Sequence, residues 1–165
     1  FILFTFLVAC TGKQQPTVQE SSVTTDQKSS ISMEKAIKSP GTQALAVARK
    51  MLGSPYRYGG MDPKGFDCSG LVYYTYTSNG HAVPRTSQEQ FDAAQKISLE
   101  QAAEGDLVFF RNQQNLSHVG IYLGDDKFIH APRAGANVRV ESLAASYWSR
   151  RFTGARRADM LEQSP

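Results

Sequence analysis

The spacing of apolar residues changes period partway along this chain. Between residues 42 and 52, Ala44, Val47, Ala48 and Met51, with Leu45 and Leu52, recur at helical intervals, and Gly53 before Ser54-Pro55 closes the segment. A second helix is predicted from Cys68, Leu71, Val72, Thr75 and Tyr76, which share one face. Asp67 is its N-cap and Asn79-Gly80 its stop. A short third helix follows Val83-Pro84-Arg85, with capping-box spacing at Thr86…Glu89 and again at Ser87…Gln90. After the turn signal Glu104-Gly105-Asp106 the period drops to two. Residues 107–110 form an apolar strand, and Val119, Ile121 and Leu123 alternate with His118, Gly120 and Tyr122. Gly124-Asp125-Asp126 reads as a hairpin turn and 127–131 as the returning strand. A strand at 137–141, a helical turn at 143–148 and a strand at 152–156 complete the pattern. Helices first and strands later give an α+β class.

The N-terminal part follows neither period. Residues 1–10 are apolar up to Ala9-Cys10 and carry neither an initiator Met nor a basic start, as expected of a truncated signal peptide. Leu7-Val8-Ala9-Cys10 has the form of a lipobox, in which Cys10 becomes a lipidated N-terminus; the plainer reading is a secretory cleavage site with an incidental cysteine. Residues 11–41 are rich in Ser, Thr, Gln and Lys and lack the apolar surface needed to offset ordering, so they read as a disordered tether. A helical patch at 33–37 would be stopped by Ser39-Pro40-Gly41, and the folded domain would run from 42 to 165.

Composition narrows the function. The 165 residues are 41% hydrophobic and 20% charged, with a net charge of +3 and a pI near 8.9. No Lys/Arg run tracks a helix face, which argues against nucleic acid, whereas a mildly basic protein suits an anionic polymer or membrane surface. Nothing after residue 10 is long and apolar enough to span a bilayer.

With Cys10 assigned to anchoring, Cys68 is left without a disulfide partner, as a buried hydrophobe or as a nucleophile. Its place in the first turn of a helix predicts a thiol pKa below the ordinary value. His118 and His130 lie on the two arms of one hairpin. A three-residue loop, 124–126, pairs Gly120 with His130 and sets both imidazoles on one face, whereas a two-residue loop separates them. His81 reads as a surface loop residue and Tyr58 as a packing aromatic. Cys68 with the two histidines could alternatively form an open zinc site.

Several segments occur in a characteristic order: Tyr56-Arg57-Tyr58-Gly59-Gly60, Asp67-Cys68-Ser69-Gly70, Pro84-Arg85-Thr86-Ser87, Gly105-Asp106-Leu107-Val108-Phe109-Phe110, His118-Val119-Gly120-Ile121-Tyr122 and His130-Ala131. Over residues 42–157 the chain resembles the NlpC-type, papain-like cysteine peptidases of bacterial cell walls. The resemblance implies N-terminal helices carrying Cys68, packed on a mainly antiparallel sheet carrying the histidines. It implies a murein endopeptidase in which Cys68 is the nucleophile, His118 the base and His130 its orienting partner, acting through a thioester. Tyr56 would serve the oxyanion, and Asp67, Ser69 and Arg85 would hold the stem peptide. No cofactor or metal is implied. The protein would be a monomer, lipid-anchored through Cys10 and facing the periplasm, with the outer membrane implied by the absence of Asp after Cys10. Either the D-Glu–diaminopimelate or the D-Ala–diaminopimelate bond could be the target. A murein-binding or acyl-transfer protein on the same fold is the alternative.

Overall fold

The computed structural model describes residues 39–113 and 115–158; the leader, Cys10, the helical patch at 33–37 and most of the tether lie outside the described residues. Helix α1 spans Pro40–Lys50. Ser39-Pro40-Gly41 therefore starts a helix. The Ser39 side chain accepts from Thr42 N at 3.2 Å, and Pro40 sits at N1, where a missing N–H costs nothing and its fixed φ already suits the helix. Arg49 and Lys50 occupy the last turn, and Gly53 leaves it with φ +85°.

A small hairpin follows, β1 at Met61–Asp62 and β2 at Gly65–Phe66. It precedes α2, Cys68–Thr77, whose N-cap is Asp67. Helix α3, Ser87–Ala93, begins with the Thr86–Glu89 capping box, so the first of the two candidate spacings is the one used. The strands are β3 (Gln95–Ile97), β4 (Leu107–Asn112), β5 (Asn115–Gly124), β6 (Lys127–His130), β7 (Arg139–Ser142) and β8 (Phe152–Arg157), with a short helix α4 (Ser146–Ser149) before the last. They form one sheet in the order β3-β8-β4-β5-β6-β7, every pair antiparallel. The hairpin β1–β2 and strand β3 carry no apolar alternation, which is why sequence periodicity passes over them. The strand expected at 137–141 is displaced toward the C-terminus; Asn137 makes only an isolated bridge with Pro55.

The sheet is apolar on both faces. Leu107, Phe109, Val119, Ile121 and Ile129 pack with Leu45, Ala48, Leu71, Val72 and Tyr76 of the helices. Val108, Phe110, Tyr122 and Phe128 point the other way and pack with Leu143 and Trp148. No helix among the described residues is long and apolar enough to cross a membrane.

The β5–β6 turn differs in length from the three-residue loop expected. Asp125 and Asp126, at φ +48° and +54°, form a two-residue turn between paired Gly124 and Lys127. Left alone, that turn would separate the histidines. The ladder shifts between Tyr122 and Gly124, however, so that Tyr122 pairs with Phe128 and Ile121 with Ile129. Leu123 is the extra residue of a bulge, and it restores the register by one. One further step along the ladder sets Gly120 against His130.

The loop before α2 and the helix itself meet through two glycines. The Asp67 N–H donates to Gly60 O at 3.0 Å, and a Cβ on Gly70 would stand 1.9 Å from that same oxygen. Backbone meets backbone here, so no side chain can move aside. Gly70→Ala should cost about 3 kcal/mol in urea denaturation. Gly80→Ala, where φ is +80° but nothing lies within 4 Å, should cost only about 1 kcal/mol. Equal losses at the two positions would show that this approach does not constrain the fold.

Candidate active site

Two clusters hold the candidate residues, one at the start of α2 and one on the sheet. The first is built on Asp67. Its Oδ1 accepts from Gly70 N at 2.6 Å, the capping bond, and from Arg85 Nη1 at 3.0 Å. Its Oδ2 accepts from Gly59 N at 2.9 Å and Arg85 Nη2 at 2.7 Å. Arg85 Nη1 also donates to Ser69 Oγ at 3.0 Å. Asp67, Ser69 and Arg85 are thus brought together beside Cys68 and bound to one another. The carboxylate raises the Arg85 pKa further, chiefly through their hydrogen bonds. Gln90, which sequence spacing offered only as a capping-box partner of Ser87, is fully buried and donates to Ser69 O at 3.0 Å and Pro84 O at 2.8 Å. It ties α3 to the first turn of α2.

Cys68 is half-buried and is the free cysteine of the described residues. The backbone N–H groups of Val119, which follows His118, of Ser69 and of Cys68 itself act on its sulfur to lower the thiol pKa. These three favour thiolate, as expected of a helix start. Burial and the adjacent Asp67 carboxylate outweigh them, so the thiol pKa lies above its ordinary value, not below it. Tyr56 is near enough to feel Cys68 and Asp67, and burial followed by those two charges raises its phenol, which remains an O–H donor at neutral pH. Tyr58 is 91% exposed and packs on nothing, contrary to expectation. His81 is half-buried.

The second cluster holds the histidines. His118 Nε2 and His130 Nδ1 lie 2.7 Å apart, both side chains buried and the rings at 89°. These two nitrogens address each other and not a shared third point, which favours a hydrogen-bonded pair over a set of metal ligands. Trp148 stacks on His118 at 5.2 Å and 28° and meets His130 edge-on at 5.0 Å. Its indole N–H donates to Glu141, which also accepts from Arg139 Nε at 2.6 Å. Sequence reasoning singled out neither Trp148 nor Glu141, because only the β6–β7 pairing and α4 bring them to the histidines.

Both imidazoles are held at a pKa of about 3. Burial is the main cause in each. The charge of His130 adds to it for His118, against an opposing pull from Glu141, and Arg139 adds to it for His130. At neutral pH the thiol and both imidazoles are therefore uncharged. The two imidazoles share one hydrogen bond, which leaves one nitrogen of each ring free of the other.

The NlpC/P60 family profile matches residues 53–157. The chain is 46% identical over 121 residues to murein DD-endopeptidase MepH of Escherichia coli, aligned over 69% of this chain and 44% of that protein. It is 34% identical over 109 residues to gamma-D-glutamyl-L-lysine dipeptidyl-peptidase of Bacillus subtilis, over 64% of this chain and 37% of that one. The solved structure of an NlpC/P60 family protein from Bacillus cereus matches with a TM-score of 0.70 at 34% identity, covering 74% of this chain and 42% of the other. The chain thus spans less than half the length of the curated relatives it matches.

The depressed histidines make stability depend on pH. An unfolded chain takes up these protons near pH 6.5, and the folded one only near pH 3. Their contribution is full above about pH 6.5 and is lost as pH falls toward 3, with a slope approaching about 1.4 kcal/mol per pH unit for each histidine. Urea midpoints at pH 7.5 and 4.5 should therefore separate more in the wild type than in His130→Asn. Identical separations would mean that His130 titrates normally in the folded protein.

Proposed function

The chain belongs to the NlpC/P60 family, and we propose that it is a cysteine peptidase hydrolysing a peptide bond in murein stem peptides through Cys68, His118 and His130. The observation that carries this reading is the buried 2.7 Å bond between the two imidazoles, His118 being the neighbour of Val119, whose backbone N–H favours the Cys68 thiolate. A thiol held protonated by its surroundings needs a base, and His118 Nδ1 is the ring nitrogen not engaged with His130. The Cys68 proton passes to that nitrogen as sulfur bonds to the scissile carbonyl carbon. The resulting oxyanion is met by the Tyr56 phenol and the N–H groups of the first turn of α2. Collapse breaks the C–N bond, and the His118 imidazolium returns its proton to the leaving amine. The thioester is then hydrolysed by water deprotonated by His118, releasing the carboxyl product and the thiol.

Asp67, Ser69 and Arg85, bound to one another beside Cys68, would receive the stem peptide on the α2 side. Arg85, with its side chain 30% exposed, is the member best placed to meet a carboxylate of an acidic stem peptide, while Asp67 and Ser69 hold it in place. The relatives' names specify different bonds, a DD link and a gamma-glutamyl link, so mass spectrometry of digested muropeptides identifies the bond cut here. Product analysis also separates hydrolysis from acyl transfer or simple murein binding.

Cys68→Ala and His118→Ala should each abolish muropeptide cleavage, and His130→Asn should retain a fraction, since an amide oxygen can still accept from His118. In His118→Ala, iodoacetamide should label Cys68 at pH 7 at least about tenfold more slowly than in the wild type, because no base remains to take the thiol proton. Cleavage by Cys68→Ala at the wild-type rate would remove the assignment.

The proposal extends to the leader. Lipid on Cys10 would hold the domain at the periplasmic face of a membrane, the outer membrane by analogy, within tether reach of murein. Cys10→Ser should then move the protein from the membrane to the soluble fraction at an unchanged cleavage rate. A Cys10→Ser form that still sediments with membranes would contradict the anchor.

A further inference from the structure

We propose that Glu141 is a positioning residue that fixes the proton of His130 on Nε2, and so leaves His118 Nδ1 bare to receive the Cys68 proton. The inference rests on the assignment of Cys68 and His118 as nucleophile and base, and adds a fourth side chain behind them.

The argument begins with proton counting. A neutral imidazole has one N–H and one lone pair. Both histidines are neutral at pH 7, and the 2.7 Å contact between His118 Nε2 and His130 Nδ1 requires one proton between them. Two arrangements satisfy it. In one, His118 Nε2–H donates to His130 Nδ1. The remaining proton of His130 then sits on Nε2, and His118 Nδ1 carries a lone pair. In the other, His130 Nδ1–H donates to His118 Nε2. The proton of His118 then sits on Nδ1, where it blocks uptake of the thiol proton. The imidazole pair by itself does not choose, and only the first arrangement is a base.

Glu141 supplies the choice. His130 is fully buried, and its Nε2 makes no hydrogen bond among the described residues. The carboxylate oxygen Oε1 of Glu141 lies 3.7 Å from it. An N–H at Nε2 faces that negative charge favourably, whereas a lone pair there would face it repulsively and remain buried without a donor. The carboxylate cannot swing away freely. Arg139 Nε donates to Oε1 at 2.6 Å and the Trp148 indole N–H to Oε2. Trp148 is also the ring stacked on His118, so one side chain holds both the base and the carboxylate that sets its tautomer. The placement follows from register. His130 pairs with Arg139 and Phe128 with Glu141, which puts Arg139 and Glu141 on the same face of the sheet as the imidazole. An Arg–Glu pair two residues apart on an edge strand would ordinarily be a surface ion pair of small effect. Here one partner is anchored by a buried indole and directed at a buried imidazole.

The test uses the complete protein and two variants. In Glu141→Gln the side chain keeps its size, but its NH₂ must face one of the two donors that the carboxylate accepted, and the negative charge is lost. Turnover should fall about 10–100-fold with KM little changed, as for loss of an orienting partner. Glu141→Ala should fall at least as far. The second measurement is the long-range ¹H–¹⁵N correlation of the imidazoles. In the wild type both protons should be on Nε2, and in Glu141→Gln the His118 signals should show Nδ1–H gaining population. A folded Glu141→Gln enzyme with wild-type turnover, or a wild-type His130 protonated on Nδ1, overturns the inference. If Glu141→Ala fails to fold, the Gln variant and the wild-type spectrum decide. Failure of the peptidase assignment is distinguishable, because undiminished cleavage by Cys68→Ala would sink that assignment and leave the tautomers as measured.

Discussion

The geometry of the site depends on the register of one hairpin. Strand side chains alternate between faces, so a slip of one residue between β5 and β6 would send His118 and His130 to opposite sides of the sheet. The two-residue turn at Asp125-Asp126 creates such an offset, and the bulge at Leu123 cancels it. With the offset cancelled, Phe128 and His130 share a face with Phe110 and His118, and Trp148 packs against all four rings. The same face of β7 then receives Arg139 and Glu141. A local irregularity at one turn thus aligns three strands and a helix around two buried imidazoles.

Burial sets the electrostatics of the site. It raises the thiol and lowers both imidazoles, so each group by itself is held uncharged. In the proposed mechanism, moving one proton from sulfur to imidazole would create a pair of opposite charges, whose attraction a low dielectric strengthens. The thiol and both imidazoles thus rest uncharged, and under that proposal charge develops among them as a pair. Asp67 opposes a thiolate. Its bonds to Gly59, Gly70, Ser69 and Arg85 give it another task, which is to fasten the loop, the first turn of α2 and the segment before α3 into one corner.

Several parts of this arrangement are legible in the residues. The Asp67 cap, the stop at Asn79-Gly80 and the Thr86–Glu89 box are local devices whose partners lie within a few residues, so spacing reveals them. The long strands announce themselves by alternation. Ser39-Pro40-Gly41 shows the limit of such reading. A Ser-Pro-Gly segment that can end one helix also carries the cap and the N1 proline that begin another, and here it begins α1. The thiol pKa shows another limit. The helix start is visible in the sequence, but the desolvation that outweighs it arises only when distant segments close over Cys68.

By itself, then, the sequence determined the α+β order of elements and the caps that start α2 and α3, and it singled out Cys68, His118 and His130 as the candidates for chemistry, because these depend on residue type and short-range periodicity. Tertiary structure alone decided the Leu123 bulge, the partnership of Asp67 with Arg85 eighteen residues away, and the approach of Glu141 and Trp148 to the histidines. Those features depend on which strand edges pair and in what register. That is a property of the assembled sheet, and no window along the chain contains it.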